Sequence, residues 1–364
     1  MSYKSNSLKY LALQKFKKNF WGVFSFGFVV FVGIISVFAY VFAPDNSQYA
    51  NQMHLSIHSK QPGFKVLMLI IPSQLKIEQS LVDKIFFGTK ITDTETPISE
   101  YNVVERKLTY TEYASDGLKG VEKSVDLEVF PNQSVDGFIK ERTFLFGTDK
   151  YGRDLLSRIL VGARISFFIG FVAVFISLLL GILMGSIAGY FGGKIDAMIM
   201  WIINVTWSIP TLLLVIAITL ALGKGFWQVF IAVGLTMWVE VARVVRGQVI
   251  SVKEQQYVTA ARALGFNDFR IITKHILPNI MAPVIVISAA NFASAILIES
   301  GLSFLGIGAQ PPMASWGAMI KDHYNYIILG KPYLAIIPGL CIMSLVMAFM
   351  LIGNALRDAL DVKS

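Results

Sequence analysis

Charge-free apolar runs constrain this chain more than any other feature. Phe20–Pro44, Ile165–Gly193, Ala197–Gly223, Ile276–Ile298 and Pro332–Leu356 each contain no Asp, Glu, Lys or Arg. Each exceeds the roughly 20 residues that a helix needs to cross the hydrocarbon of a bilayer. A sixth run, Gly225–Val239, is shorter, but its apolar pattern continues past Glu240 to Val249. Overall, 54% of residues are hydrophobic and only 15% are charged, against about a quarter charged in soluble domains. The expected fold is therefore an all-α polytopic membrane protein with six transmembrane helices, at 20–43, 165–192, 197–222, 226–249, 279–306 and 333–355. Gly181, Gly185, Pro210, Pro283 and Pro338 fall inside these spans, where membrane helices tolerate them.

Charge sets the orientation. The net charge of +8 is not a nucleic-acid signature, because no basic stripe with interleaved aromatics occurs. Residues 44–146 hold 11 basic and 14 acidic side chains, so the positive excess lies beside the apolar runs. The N-terminal tail (1–19) carries Lys4, Lys9, Lys15, Lys17 and Lys18. The loop between spans four and five carries Arg243, Arg246, Lys253, Arg262, Arg270 and Lys274, and Lys194, Arg357 and Lys363 fall on the same face. The short loops opposite hold Lys224, Lys321 and Lys331. The positive-inside rule then puts both termini in the cytoplasm. The first span is too long for a signal-peptide core, and Phe38-Ala39-Tyr40 offers no cleavage site, so it is expected to be retained.

Residues 44–146 form a polar insert between spans one and two, outside the cytoplasm, and are expected to make a small β-rich domain. Phe64–Ile71 is too short to span and reads as a buried strand. Lys107–Tyr113 is rich in Thr and Tyr, and Val125, Leu127 and Val129 alternate with Asp126 and Glu128. Pro62-Gly63, Asp116-Gly117 and Asp136-Gly137 are turn signals. His54 and His58 are four apart but have no further ligand close in sequence, so they read as exposed loop histidines and no metal site is expected. The insert shows no concentrated set of polar or aromatic residues that would mark a pocket.

Catalytic signatures are missing. No GxxxxGK[ST] loop, HExxH or GxSxG occurs, and the single cysteine, Cys341, excludes an internal disulfide or a CxxC site. Two carboxylates lie in the spans. Glu240 is one turn from Arg243, which suggests an ion pair. Glu299 could line a polar pathway, with Asn291 and Ser294 on the same helix, or be paired structurally.

The most informative stretch is the cytoplasmic loop 254–278. Glu254–Gly265 reads as a short helix ending at a glycine able to take positive φ, followed by a second short helix and a Pro-started span. Small Ala260 and Ala261 would admit close approach of a partner surface. This loop resembles the "EAA" loop of ABC-importer permeases, matching at Ala260, Ala261, Gly265, Leu277 and Pro278. Thr259 stands where that pattern has Glu, and His275 where it has Ile. Gly147–Arg158 with Gly162–Ser166, Ser300–Gly308 with Pro311-Pro312 and Ser315–Gly317, and Pro338-Gly339 with Gly353–Leu360 resemble further motifs of the dipeptide/oligopeptide/nickel type, in its "C-type" subunit. The likeness covers residues 1–43 loosely and 144–364 closely, which includes the permease core at 147–364. The long insert departs from it.

The resemblance implies a permease subunit that forms half of a translocation pathway for peptides or similar small solutes. In that family the loop docks on ATPase subunits, which assigns Thr259, Ala260, Ala261, Leu264, Gly265, Leu277 and Pro278 to coupling. It implies a second homologous permease, two ABC ATPases, an extracytoplasmic solute-binding protein and membrane lipid as partners, with ATP and Mg bound by the ATPases and no cofactor in this chain. An ion-coupled secondary carrier would need its own coupling site and repeats. A membrane sensor would need a cytoplasmic output domain. Read independently, Thr148 or Asp149 could cap a helix whose Arg153, Arg158 and Arg164 sit at headgroup level. Ser288, Ala289, Ala293, Ser294 and Ala295 would let helices pack closely.

Overall fold

A computed structural model describes residues 8–73, 77–115, 118–131, 134–135, 137–223 and 225–360. The turn signals at Asp116-Gly117 and Asp136, with Lys4, Lys224 and Lys363, lie outside these. The chain is mostly helical and divides into two compact units.

The first unit takes residues up to 33, then 166–310, then 340 onward. The helices that contribute to it are α1 (Leu8–Lys18), α2 (Phe20–Val37), α5 (Leu155–Phe191), α6 (Gly193–Trp207), α7 (Thr211–Leu222), α8 (Phe226–Lys253), α9 (Gln256–Ala263), α10 (Asp268–Arg270), α11 (Leu277–Phe304) and α13 (Tyr333–Leu360). Two short helices, α3 (Ala39–Phe42) and α4 (Leu81–Phe87), and α12 (Trp316–His323) lie in the second unit. Among the described residues, five helices are long and apolar enough to cross a membrane, or six if the bent pair α6–α7 counts as one.

That pair corrects the expectation of a single straight span over 197–222. The two helices meet at 93°. Pro210 causes the break: it has no N–H to give the preceding turn, and its ring disfavours helical geometry at Ile209. Span two is also longer than expected. At about 1.5 Å per residue, 37 residues measure about 55 Å, well beyond a hydrocarbon core of about 30 Å.

Close packing inside the first unit rests on a glycine row. Gly181, Gly185 and Gly189 recur every four residues on α5 and face α8. A Cβ at Gly185 would lie 2.5 Å from the Ala242 carbonyl oxygen, and one at Gly189 would lie 2.8 Å from that of Arg246. Small residues at this spacing let membrane helices approach backbone to backbone. Asp196 of α6 then takes a two-pronged pair from Arg246 of α8, at 2.5 and 2.6 Å.

The second unit comprises residues 34–165 and 311–339. Its centre is an antiparallel sheet in the order β4-β3-β2-β1-β5, with β1 Phe64–Ile71, β2 Thr94–Val104, β3 Lys107–Glu112, β4 Glu122–Asp126 and β5 Ile139–Phe144. β1 occupies the same eight residues as the apolar run, and its register explains why that run is continuous. Leu67, Leu69 and Ile71 join one cluster, with Ile98, Leu108 and Tyr110. Phe64, Val66 and Met68 join another, with Ile57 and Phe144. Both faces are covered, so alternation is not needed. The strand expected through Val129 ends at Asp126, which pairs with Lys107, the first residue of β3. The Leu127 N–H still bonds the Arg106 carbonyl at 2.8 Å, just before β3 begins; Leu127–Val129 then turn as a 3-10 helix, and Leu127 and Phe130 enter the core.

Candidate functional site

In the 254–278 loop, α9 ends in a Schellman motif. Gly265 has φ +78°, its N–H bonds the Arg262 carbonyl at 3.0 Å, and the Phe266 N–H bonds the Ala261 carbonyl at 3.2 Å. This satisfies carbonyls that a helix end would otherwise orphan. The motif divides α9 into two faces. Val258 and Ala261 are buried against Val245, Val249, Ile271 and Ile276. Thr259, Ala260, Leu264 and Gly265 are exposed, and Leu264 keeps 74% of its surface. Ala261, expected to receive a partner, therefore packs inward and seats the loop on its own helices.

The second half of the loop also differs from the expectation. α10 does not stop before the span: 268–304 forms one helical run, with a π-helical segment at Ile271–Ile276. Pro278 supplies the reason, since it cannot bond the Lys274 carbonyl and its ring crowds that position. The Leu277 N–H reaches back to the Ile272 carbonyl instead. Leu277 is half-buried and packs on the same cluster, while Pro278 is exposed. Phe269, not selected from sequence, is 77% exposed, and Tyr257 is also exposed. Their signal was the coincidence of large apolar side chains with a polar loop. Asp268 is anchored by the Tyr190 hydroxyl, which donates to Oδ1 at 2.6 Å.

The three residues expected along a pathway separate. Ser294 lines a cavity of about 290 Å³ with Thr206, Trp207, Thr211, Thr236 and Glu240, at the 93° bend. Asn291 and Glu299 do not line it. Glu299 is 1% exposed and enclosed by serines: Ser303 Oγ donates to Oε1 at 2.7 Å, and Ser166 and Ser300 lie at 3.5 Å from Oε2. Asn291 is buried on the same helix. The expected Glu240–Arg243 ion pair does not form among the described residues. Arg243 donates to Asn204 Oδ1 at 3.2 Å and lies 3.6 Å from the Trp207 ring centroid, a cation–π contact that leaves Glu240 facing the cavity.

In the second unit, the 147–158 motif is a buried ionic knot, which corrects the headgroup reading of Arg153 and Arg158. Asp149 is fully buried and accepts from the backbone N–H groups of Tyr151 and Arg153 and from Arg153 Nε at 2.6 Å. Arg158 Nε stands 3.8 Å from the same carboxylate. Arg153 also donates to Asn51 Oδ1 at 2.9 Å, and Arg158 to the carbonyls of Tyr49 and Ala50. The helix cap is Asp154, not Thr148 or Asp149: it accepts from the Ser157 N–H and hydroxyl. Burial raises the Asp154 pKa, against the lowering effect of those bonds. Thr148 instead ties back to the insert, accepting from the Lys60 N–H at 2.8 Å. Arg164 leaves the knot to contact the Phe86 carbonyl and the Tyr40 ring.

The histidines divide similarly. His58 is exposed, but His54 is buried, with Nε2 at 3.9 Å from Glu95 and no hydrogen-bond partner among the described residues. Burial, reinforced by the Arg142 charge, lowers its pKa to about 4. No group of three or more His, Cys, Asp or Glu side chains among the described residues could hold a metal ion.

Comparison with known proteins adds several likenesses. The family described as "Binding-protein-dependent transport system inner membrane component" matches residues 181–363. The dipeptide transport system permease protein of Bacillus subtilis (strain 168) is 44% identical over 218 residues, 60% of this chain and 68% of that protein. The oligopeptide transport system permease protein of Escherichia coli (strain K12) is 43% identical over 218 residues, 60% of this chain and 72% of that protein. A glutathione transport system permease protein of Escherichia coli O6:K15:H31 is 42% identical with the same coverages of 60% and 72%. Among solved structures, an inward-facing form of the MetNI methionine ABC transporter covers 56% of this chain and 96% of its own, at 18% identity and a TM-score of 0.46.

Proposed function

The chain belongs to the family of binding-protein-dependent transport system inner membrane components, and on that footing we propose that it passes peptides or peptide-like solutes through a pathway shared with a second, homologous permease. It is a multi-pass inner-membrane permease subunit of an ATP-driven ABC importer and not an enzyme. The observation that carries the peptide assignment is the 44% identity to a dipeptide permease over two-thirds of that protein's length. The oligopeptide and glutathione relatives favour the same solute class.

In this reading α6 and α7 together make one of six crossings, both termini are cytoplasmic, and the β-rich segment between α2 and α5 is extracytoplasmic. The exposed face of α9, with Thr259, Ala260, Leu264 and Gly265, docks on one of two ATPase subunits, and Phe269 extends that surface. Leu277 and Pro278 join it to α11, so movement of the docked loop reaches the span. The ATPases bind ATP and Mg; this chain binds no cofactor. A solute-binding protein delivers from outside. Ser294 and the cavity at the bend offer hydroxyls, one indole face and one carboxylate, a mixed lining that suits a varied solute. Asn291 and Glu299 support that helix from within.

The test is uptake of a labelled dipeptide, a hexapeptide and nickel into cells lacking this gene, with and without the gene restored. Restored peptide uptake is expected. Restoration of nickel uptake alone would overturn the peptide assignment while leaving the permease role standing.

A further inference from the structure

The short helix α4 (Leu81–Phe87) plays no part in the transport reading, and its surface is unlike that of a water-facing helix. Leu81, Val82, Phe86 and Phe87 are 76%, 60%, 39% and 64% exposed. Four large apolar side chains left open on seven residues mark a surface that meets something other than water.

The helix is held in place from several directions. Ser80 caps its start by accepting from the Val82 N–H at 3.3 Å, and the Gly88 N–H closes its end on the Lys84 carbonyl at 3.2 Å. Just past that end, the Thr89 N–H bonds the Asn46 carbonyl at 2.8 Å, and the Gln48 N–H bonds the Thr89 carbonyl at 3.3 Å. Gly88 lies so close to Tyr40 that a Cβ there would stand 2.9 Å from the ring. Tyr40, Asn46 and Gln48 belong to the stretch by which the chain leaves its first span, so α4 is fixed to that exit.

Two markers place the exit at a membrane surface. The charge-free run ends at Pro44, and just before it Val41 and Phe42 of α3 are 58% and 55% exposed, apolar surface that continues the lipid-facing side of the span. α5 gives the second marker. Arg164 lies 27 residues before Phe191, about 40 Å along the helix, and a bilayer with both headgroup regions measures about 40–45 Å. With Lys194 just past one end of α5 at one surface, Arg164 reaches the other. There it donates to the Phe86 carbonyl at 2.6 Å and lies 5.1 Å from the Tyr40 ring centroid. Arg and Tyr are side chains that anchor at this boundary, with an apolar stem or ring and a polar end.

We propose that α4 lies in the membrane interface, with Leu81, Val82, Phe86 and Phe87 entering the boundary between headgroups and acyl chains in the leaflet where the first span ends. The occupant of this face is lipid, because the face continues apolar surface that the span already presents to lipid. Glu78, Asp83, Lys84 and Lys90 cancel in charge, so the attachment rests on buried apolar area and not on anionic headgroups. It fixes the root of the insert to the bilayer. The inference rests on α2 and α5 crossing the membrane and not on which solute the permease transports.

The test is a spin-label depth measurement on the full chain in nanodiscs. Cys341→Ser removes the single native cysteine, and Leu81→Cys, Phe87→Cys, Phe42→Cys and Glu105→Cys then each take one nitroxide. All four positions are exposed, so the label displaces no packed side chain. Collision rates with oxygen and with a water-soluble nickel chelate give the depth. Labels at positions 81 and 87 should lie about 5–10 Å into the interface, as at position 42, whereas position 105, in the β2–β3 turn, should lie in water. These depths should be the same in zwitterionic and in anionic nanodiscs. Chelate-dominated collisions at both 81 and 87 overturn the proposal. A lipid-like depth that appears only with anionic lipid also overturns it, since the attachment would then be electrostatic. In the transporter assembled with its second permease, shielding of both labels from both reagents overturns it too, and assigns the face to a protein contact.

Discussion

Asp149 is the residue whose replacement should cost most. It is fully buried and accepts two backbone N–H groups while neutralising Arg153 and Arg158, both nearly buried themselves. Asp149→Asn keeps the volume but leaves two guanidinium groups without their counter-charge. Removing one partner of such a group typically costs about 3–5 kcal/mol. Thermal unfolding in nanodiscs should show a large drop in midpoint, whereas Lys119→Gln should show none; equal midpoints for Asp149→Asn and wild type would mean that the knot is not a stabilising feature. His54 adds a pH dependence. Its folded pKa of about 4 lies below the unfolded 6.5, so between these values the unfolded chain binds more protons. Its contribution to stability is therefore complete above about pH 6.5 and is lost as pH falls toward 4, by about 3 kcal/mol in total. His323 acts in the same direction: burial lowers its pKa, and its Nε2 accepts from the Lys150 N–H, a bond that protonation would end. His54→Leu should flatten the midpoint-versus-pH curve between pH 5 and 6.5, and an unchanged slope would assign the dependence elsewhere. None of this was legible in the sequence, where Asn51 and Arg153 stand 102 residues apart and nothing marks them as neighbours.

At the level of elements the sequence was most readable where one local force decides. Apolar length marked the spans, period-two packing was implicit in Phe64–Ile71, and Gly265 marked the end of α9. Reading failed where two elements had to meet. The Gly181/Gly185/Gly189 spacing was visible, but which helix it faced was not. Pro210 was visible inside a span, yet a 93° bend requires packing on both arms to hold it. The glycine row gives a sharp expectation. Gly185→Leu must displace the α8 backbone, because even a Cβ would sit 2.5 Å from the Ala242 carbonyl oxygen. The protein should fail to accumulate in the membrane, while Gly247→Leu, at a glycine with open space around it, should accumulate normally. Equal accumulation of both would remove the row from the packing. Coupling makes a second expectation at this scale. Gly265→Val has room but must adopt φ +78°, at a cost of about 1–2 kcal/mol for an L-residue. Leu264→Arg changes only the exposed face. Both should insert normally and lose most peptide uptake; retention of uptake together with normal stimulation of ATP hydrolysis by both variants would move the docking surface off α9.

For the whole molecule, the informative cut is the one that separates the sheet from the segment that supports α5. Residues 45–61 are not a detachable part of the insert. Asp45 bonds Ser157, Asn51 bonds Arg153, the His54 N–H bonds Tyr151, and Lys60 bonds Thr148. The sheet begins after them, and its two ends are already joined, since the Gly63 N–H donates to the Phe144 carbonyl at 2.9 Å. A Gly/Ser linker of about four residues can therefore replace 64–143 without stretching the chain, as each residue spans up to about 3.5 Å. The trimmed chain should insert in the membrane, dock with the ATPases and retain the Asp149 knot, its main loss being the exposure of Ile57, which packs on Val66, Met68 and Phe144. Replacing 47–143 instead removes Asn51, His54 and Lys60 together, so Arg153 keeps Asp149 but loses the Asn51 oxygen, and Thr148 loses the Lys60 N–H, in a buried site. That chain should unfold at a markedly lower temperature than the first, though it is only 17 residues shorter before linkers are counted. Nearly equal midpoints for the two deletions would show that 47–63 contributes nothing to the support of α5, and the division of this segment into a structural stem and a separate sheet would be wrong.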